Sequence, residues 1–262
     1  MNGINKQLKH MAVLTAVGCM IAGGLQAQET VKAAAPNPET PKAEAPKNPW
    51  ERSVSLGLSL TTGNSDTLLI VGAFEAKRVW ERDEFRGFIT GAYGETEDEK
   101  SSESAEAIAQ YKHLFSERFY GTLYGNLFHD AIADVAYRLT LSPGVGYYFI
   151  KSAKTQLSGD IGPSYVIEKL NGVDTDDYVG LRLAERLDHK LSDSAKVWQS
   201  LEWLPQIDDF ENYILIFEVG VEAALTKTLS VRVVGQDRYD NQPAPGRQSN
   251  DISLVSSLAY KF

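Results

Sequence analysis

The sequence has a single cysteine, Cys19, and it lies in the first 27 residues. Everything downstream is therefore without disulfides, thiol catalysis or cysteine-ligated metal sites. Absence of thiols also suits export into an oxidising compartment. Beyond those first residues there is no run of 18 apolar residues, which excludes a transmembrane helix from the remainder. Net positive charge is lacking too. The formal charge is −9, and residues 1–27 contribute Lys6 and Lys9 with no acid, so the rest is more negative still. Nucleic acid is not an expected partner for such a chain. Histidine is scarce, at four residues in 262.

What is present begins with an export pattern. Lys6, Lys9 and His10 precede an apolar stretch from Met11 to Leu25, and Leu25-Gln26-Ala27 ends on a small residue. This order predicts a signal peptide over residues 1–27, cut after Ala27. Ala16-Val17-Gly18-Cys19 lacks the leucine of a lipoprotein signal, and the apolar run continues past the cysteine. Residues 28–49 read QETVKAAAPNPETPKAEAPKNP, with five prolines, and predict an extended, disordered periplasmic spacer.

From Trp50 to Phe262 the pattern has a period of two. Val54, Leu56, Leu58 and Leu60 alternate with Ser53, Ser55, Gly57 and Ser59. The sixth segment places Val135, Tyr137, Leu139, Leu141, Val145, Tyr147 and Phe149 on one parity. Arg138, Thr140, Ser142, Gly144 and Gly146 occupy the other. Twelve such segments follow one another, most of about 9–14 residues, longer than the ~5–6 common in soluble domains. The fold class expected is all-β, an antiparallel up-and-down transmembrane barrel over residues 50–262.

Every second connection is tight, near Glu81-Arg82-Asp83, Ser116-Glu117-Arg118, Lys151-Ser152-Ala153 and Thr226-Lys227-Thr228, with a longer one expected from Asp188 to Ala195. The alternate set, Thr96–Glu103, Lys169–Asp176 and Asp240–Ser249, is expected to form longer external loops. Glu185, His113 and Asp237 fall on the outward parity and are expected near strand ends. Aromatics concentrate at segment ends, as in the girdles of an outer-membrane barrel. An even strand number puts both termini on the periplasmic side. The closing Leu258-Ala259-Tyr260-Lys261-Phe262, with Tyr260 and Phe262, has the form of a signal for the outer-membrane assembly machinery.

Trp50 to Thr67, WERSVSLGLSLTTGNSDT, resembles the opening of a family of uncharacterised, putative salt-induced outer-membrane proteins (YdiY-like). The Lys190-Leu191-Ser192-Asp193 turn is similar as well. The resemblance spans residues 50–262 and implies a porin-like barrel in the Gram-negative outer membrane, with outer-membrane lipid around it. It implies no catalytic residues and no cofactor.

The inward parity carries both signs. The residues expected to line the lumen are Arg138, Asp160, Arg182, Arg186, Glu202, Glu218, Glu222 and Arg232, with Lys196, Arg238, Glu106 and Glu168 on the same parity. Either they pair across the interior and close it, or they line a pore for small polar solutes. The first expectation is a small passive diffusion channel; a non-conducting structural or stress-related barrel is the alternative. A hydrolase is third, resting on His129-Asp130 with no serine within two residues. The acidic run Glu95 to Glu99 lacks the glycine and ligand spacing of a calcium loop. The sixth segment's alternation also predicts that arginine at Leu141 blocks membrane assembly while arginine at Ser142 is tolerated.

Overall fold

The structure is a computed structural model and describes residues 50–61 and 67–262. The expected signal peptide, residues 1–27, and the Pro/Ala-rich segment, 28–49, lie outside the described residues. So do Thr62 to Asp66, most of the Thr-Gly-Asn-Ser-Asp-Thr stretch.

Twelve strands make one closed antiparallel barrel, each paired with its chain neighbours and β1 with β12. They are β1 Glu51–Thr61, β2 Thr67–Val79, β3 Asp83–Thr96, β4 Glu99–Leu114, β5 Phe119–Asp130 and β6 Val135–Lys151. Then follow β7 Thr155–Leu170, β8 Asp176–Lys190, β9 Ala195–Pro205, β10 Tyr213–Ala224, β11 Leu229–Asp240 and β12 Asn250–Lys261. No described helix is long and apolar enough to cross a membrane.

Alternation sets which way each side chain points, because successive Cβ atoms leave opposite faces of a strand. Outside, large apolar side chains are bare to the surroundings: Leu56 on β1, Leu123 on β5, Leu141 on β6, Ile161 on β7, Val219 on β10 and Leu254 on β12, the last 73% exposed. Water-soluble monomers rarely expose a contiguous apolar patch above a few hundred Å². A belt carried by strands all round the barrel needs hydrocarbon beside it.

The rims of the belt are aromatic. At the tight-turn end Trp50 packs edge-on to Trp80 and Phe85, with centroids 6.1 and 5.7 Å away. Phe115 meets Phe119 at 5.7 Å, Tyr147 meets Phe149 at 5.6 Å, and Tyr260 stacks on Phe262 at 6.4 Å. At the other end Tyr213 stacks on Tyr239 at 5.8 Å. Arg78, on the outward parity, bends back so that its guanidinium lies 4.6 Å from the Trp80 centroid. That is how a long cation leaves an apolar surface for its polar edge.

Inside, glycine faces the largest rings. Trp198 pairs with Gly220 across β9–β10, and a Cβ on that glycine would lie 2.0 Å from the indole. Tyr120 pairs with Gly146, where a Cβ would sit 2.3 Å from the ring. Each ring lies flat over the strand opposite because nothing projects from it.

Several sequence expectations need correcting. The connection expected to be long between Asp188 and Ala195 is a tight turn, since β8 continues through Lys190. Thr96–Glu103 is not a long loop. β3 and β4 run together to a two-residue turn, Glu97-Asp98, with φ of 55° and 63° at the two positions. Two successive left-handed residues are the geometry of a type I′ hairpin, whose twist matches the strands. Val135 is buried rather than outward, because the β5–β6 and β6–β7 registers shift beside it. Glu185 lies well inside β8, where Gln199 on β9 donates to it at 2.8 Å.

Ser142 is the most instructive case. It is 2% exposed, and its hydroxyl donates to the Pro163 carbonyl at 2.8 Å. Pro143 and Pro163 lie where the β6–β7 ladder skips from Leu141↔Tyr165 to Val145↔Ile161. Proline has no N–H to give, and Ser142 supplies a donor to one of the carbonyls left over. Arginine there would lose that bond and have no room, so the tolerance expected of position 142 does not hold.

Candidate functional site

The candidate site is the barrel interior, and its side chains form three tiers. Near the tight turns, Glu75 receives Arg86 at 3.1 Å and Arg232 at 3.4 Å. Arg232 also binds Glu222 at 2.9 Å, and Lys196 binds it at 3.2 Å. Glu84 on β3 accepts from Tyr148 on β6 and lies 3.6 Å from Lys151. Arg186 holds Asp188 through two bonds of 2.8 and 3.0 Å, and the Trp198 indole donates to Glu218 at 2.7 Å.

The middle tier is centred on Arg182. Its Nε donates to Glu202 at 2.7 Å, another nitrogen bonds Asp160, and its guanidinium lies 3.7 Å from the Tyr124 ring centroid. Tyr124 in turn donates to Glu202 at 3.4 Å, reaching from β5 to β9. Arg238 on β11 crosses to Glu106 on β4 at 2.9 Å, and Asn126 donates to the same carboxylate at 2.7 Å. In the outer tier Arg138 on β6 pairs with Glu168 beside it and reaches Asp240 on β11 at 2.9 Å. β6 and β11 lie almost opposite one another in the closed order. The pair therefore spans the bore.

Two cavities in the outer half measure about 20 Å³ each, one lined by Asn126, Phe128, Arg138, Tyr178, Glu202 and Arg238, the other lying beneath Pro243 and Ala244. A water needs roughly 10–15 Å³ by this measure, so each holds about one.

The outer mouth is roofed. The β11–β12 loop, residues 241–249, reaches across it, burying Ala244 and pairing Arg247 with Asp134 in the β5–β6 turn. The same loop takes a bond from Asn241 to the Glu211 carbonyl at 2.6 Å and one from Gln242 to Asp209 at 3.1 Å. The Arg247 guanidinium, followed by Asn171, holds the Asp134 carboxyl below the usual carboxylate range.

Of the residues singled out from sequence, Arg138, Asp160, Arg182, Arg186, Glu202, Glu218, Glu222 and Arg232 lie inside and take the partners named above. Tyr260 and Phe262 lie outside at the tight-turn rim. His129 donates its Nδ1–H to the Ala136 carbonyl at 2.9 Å, and no serine bonds it among the described residues. No metal-ligating cluster occurs among the described residues. Sequence reading missed Glu75, Glu84, Arg86, Tyr124 and Asp240 as interior partners. Tyr120-x-Thr122-x-Tyr124-x-Asn126 carried the signal: aromatics alternating in step with polar residues belong to the polar face.

No curated protein sequence matches the chain. Among solved structures, the "NanC porin" aligns with a TM-score of 0.51 at 6% identity, covering 81% of this chain and 100% of that one. The "KdgM porin" gives 0.44 at 13%, covering 80% and 99%. The translocator domain of autotransporter NalP from Neisseria meningitidis gives 0.42 at 12%, covering 84% and 90%. At such identities the likeness is one of fold, an outer-membrane β-barrel, and the first of the three carries it. Residues 54–262 match a family described as "Protein of unknown function, DUF481", nearly the whole stretch of the resemblance to uncharacterised outer-membrane barrels, and the chain belongs to that family.

Proposed function

We propose that the chain is an outer-membrane barrel that, in the form described, does not pass solutes: its interior is braced by ion pairs that cross the bore. The carrying observation is the Arg138–Asp240 pair between nearly opposite strands, with Arg238–Glu106 and Tyr124–Glu202 crossing below it. Side chains bridge the bore beneath the β11–β12 loop, and the two cavities named above are of single-water size. In this reading the apolar belt faces outer-membrane lipid, the tight turns face the periplasm, and Tyr260 and Phe262 present the assembly signal.

Passive diffusion of small polar solutes is the second reading, favoured by the charged lining and by the absence of a plug domain among the described residues. A hydrolase receives no support from His129, whose ring is tied to a backbone carbonyl. Planar-bilayer recording with refolded protein tests the first reading against the second. The expected result is a silent membrane for the wild type and stepwise conductance for the Arg138→Ala/Arg238→Ala double variant, which removes two of the crossings. Reproducible unit openings of the wild type would overturn the closed reading in favour of the channel.

A further inference from the structure

Charge inside the barrel is unevenly placed along its axis. In the middle and outer tiers the wall cations Arg138, Arg182 and Arg238 are set among Glu106, Asp160, Glu168, Glu202, Asp240 and Asp251. Toward the tight turns the balance reverses. There Lys112, Arg186, Lys196, Arg232 and Lys261 join Arg86 and Lys151, facing Glu75, Glu84, Asp188, Glu218 and Glu222.

Glu222 is the focus of the basic end. It is 1% exposed, and three cations converge on it: Arg232 from β11, Lys196 from β9 and Lys261 from β12. Ser230 adds a bond at 3.0 Å. Arg232 is buried and shared with Glu75. The two lysines differ. Their side chains are 46% and 45% exposed, and Glu222 is the one carboxylate each is paired with among the described residues. Each ammonium has three donors and a full charge, and Glu222 with Glu75, which Arg86 also uses, leaves the four cations Arg86, Arg232, Lys196 and Lys261 in excess. The surplus sits on two half-exposed lysines inside a low-dielectric wall, which strengthens their field.

We propose that this tight-turn mouth binds a small polyanion, one carrying two neighbouring phosphate or carboxylate groups, between the Lys196 and Lys261 ammonium groups. The anion enters from the tight-turn end, bridges both lysines, and leaves the Glu222–Arg232 pair intact. Its charge offsets the part of the local excess that Glu222 and Glu75 leave unbalanced. The Trp198 ring centroid lies 5.7 Å from the Lys196 ammonium and 5.8 Å from the Arg232 guanidinium, so its emission reports occupancy. The inference rests on the interior being a charged lumen open at this end. It does not require that solutes cross.

The test titrates inorganic pyrophosphate into full-length refolded protein in zwitterionic detergent, following calorimetry and Trp198 emission. Expected are saturable binding, loss of the emission change in Trp198→Phe with heat release retained, and at least tenfold weaker binding in Lys196→Gln/Lys261→Gln. Arg247→Gln, at the far mouth, should bind as the wild type does. Because Lys261 lies in the closing strand, Lys196→Gln alone is measured too, with folding checked by gel mobility before heating; a weakening of several fold is expected. Competition by nanodiscs rich in phosphatidylglycerol would identify a lipid headgroup as the natural source, and lack of competition a soluble anion. Absence of saturable binding, or equal affinity in the folded double variant, would overturn the proposal. A silent bilayer leaves it standing, and failure to bind leaves the closed-barrel reading standing.

Discussion

Replacing Arg182 with alanine should lower stability by about 3–5 kcal/mol, the range for breaking a buried ion pair and leaving its partner charged. Arg182 and Asp160 are almost fully enclosed, with side chains 6% and 7% exposed, and Glu202 is little more open. Alanine would strand both carboxylates beside Tyr124, whose ring loses the guanidinium lying over it. The penalty comes from the orphaned charges more than from the lost attraction. Arg182→Met combined with Asp160→Asn and Glu202→Gln should therefore recover most of the loss, since it removes charge from all three groups together. Urea unfolding of refolded protein in detergent, read by midpoint and slope, separates the two. If Arg182→Ala unfolded at the wild-type midpoint, the middle tier would not be a brace.

Arginine in place of Leu141 should prevent stable insertion, at a cost of roughly 2–4 kcal/mol for a basic residue at the bilayer midplane. Leu141 is half-exposed on the outward face in the middle of β6. The proper control is Ser253→Arg. Ser253 pairs with Gln236 on the inward parity of β12 and is exposed, so a long cation has room and polar company there. Ser142→Arg cannot serve, because Ser142 is buried and repairs the ladder beside Pro163. Fractionation and gel mobility before heating should place Ser253→Arg with the wild type and Leu141→Arg among unassembled chains. The reverse order would mean that the faces have been assigned the wrong way round.

The number of strands, most of their parity and four of the five tight turns were legible because a one-residue slip turns every side chain to the other face. The run from Leu139 to Phe149 therefore admits one orientation. The Glu97-Asp98 turn was not legible. Type I′ turns are announced by Asn-Gly or Asp-Gly, and an acidic pair taking the same geometry reads locally as a loop. Val135 was misplaced because a register shift inverts parity without marking the sequence. The interior charges were legible as a set, since Arg138, Arg182 and Arg232 share a parity with their carboxylates. Their partners across the bore were not. Arg138 meets a residue 102 positions away and Arg238 one 132 away. Such pairs follow from closure and tilt, which no local pattern encodes. Ser142 shows the same limit. Its parity declared it inward, but whether the inside is water or packed protein depends on what arrives from the other wall.

If outward side chains meet hydrocarbon while the interior is packed and polar, probes placed on the two faces will report different surroundings. The described residues contain no cysteine, so single-cysteine spin labels can be placed without background. Labels at Leu141, Val219 and Leu258, in protein reconstituted in bilayers, should relax strongly with dissolved oxygen and barely with a water-soluble nickel chelate. The label at Ser253 should show the opposite. Strong relaxation by the nickel chelate at all three outward positions would contradict the account, because the Val/Leu belt would then be standing in water.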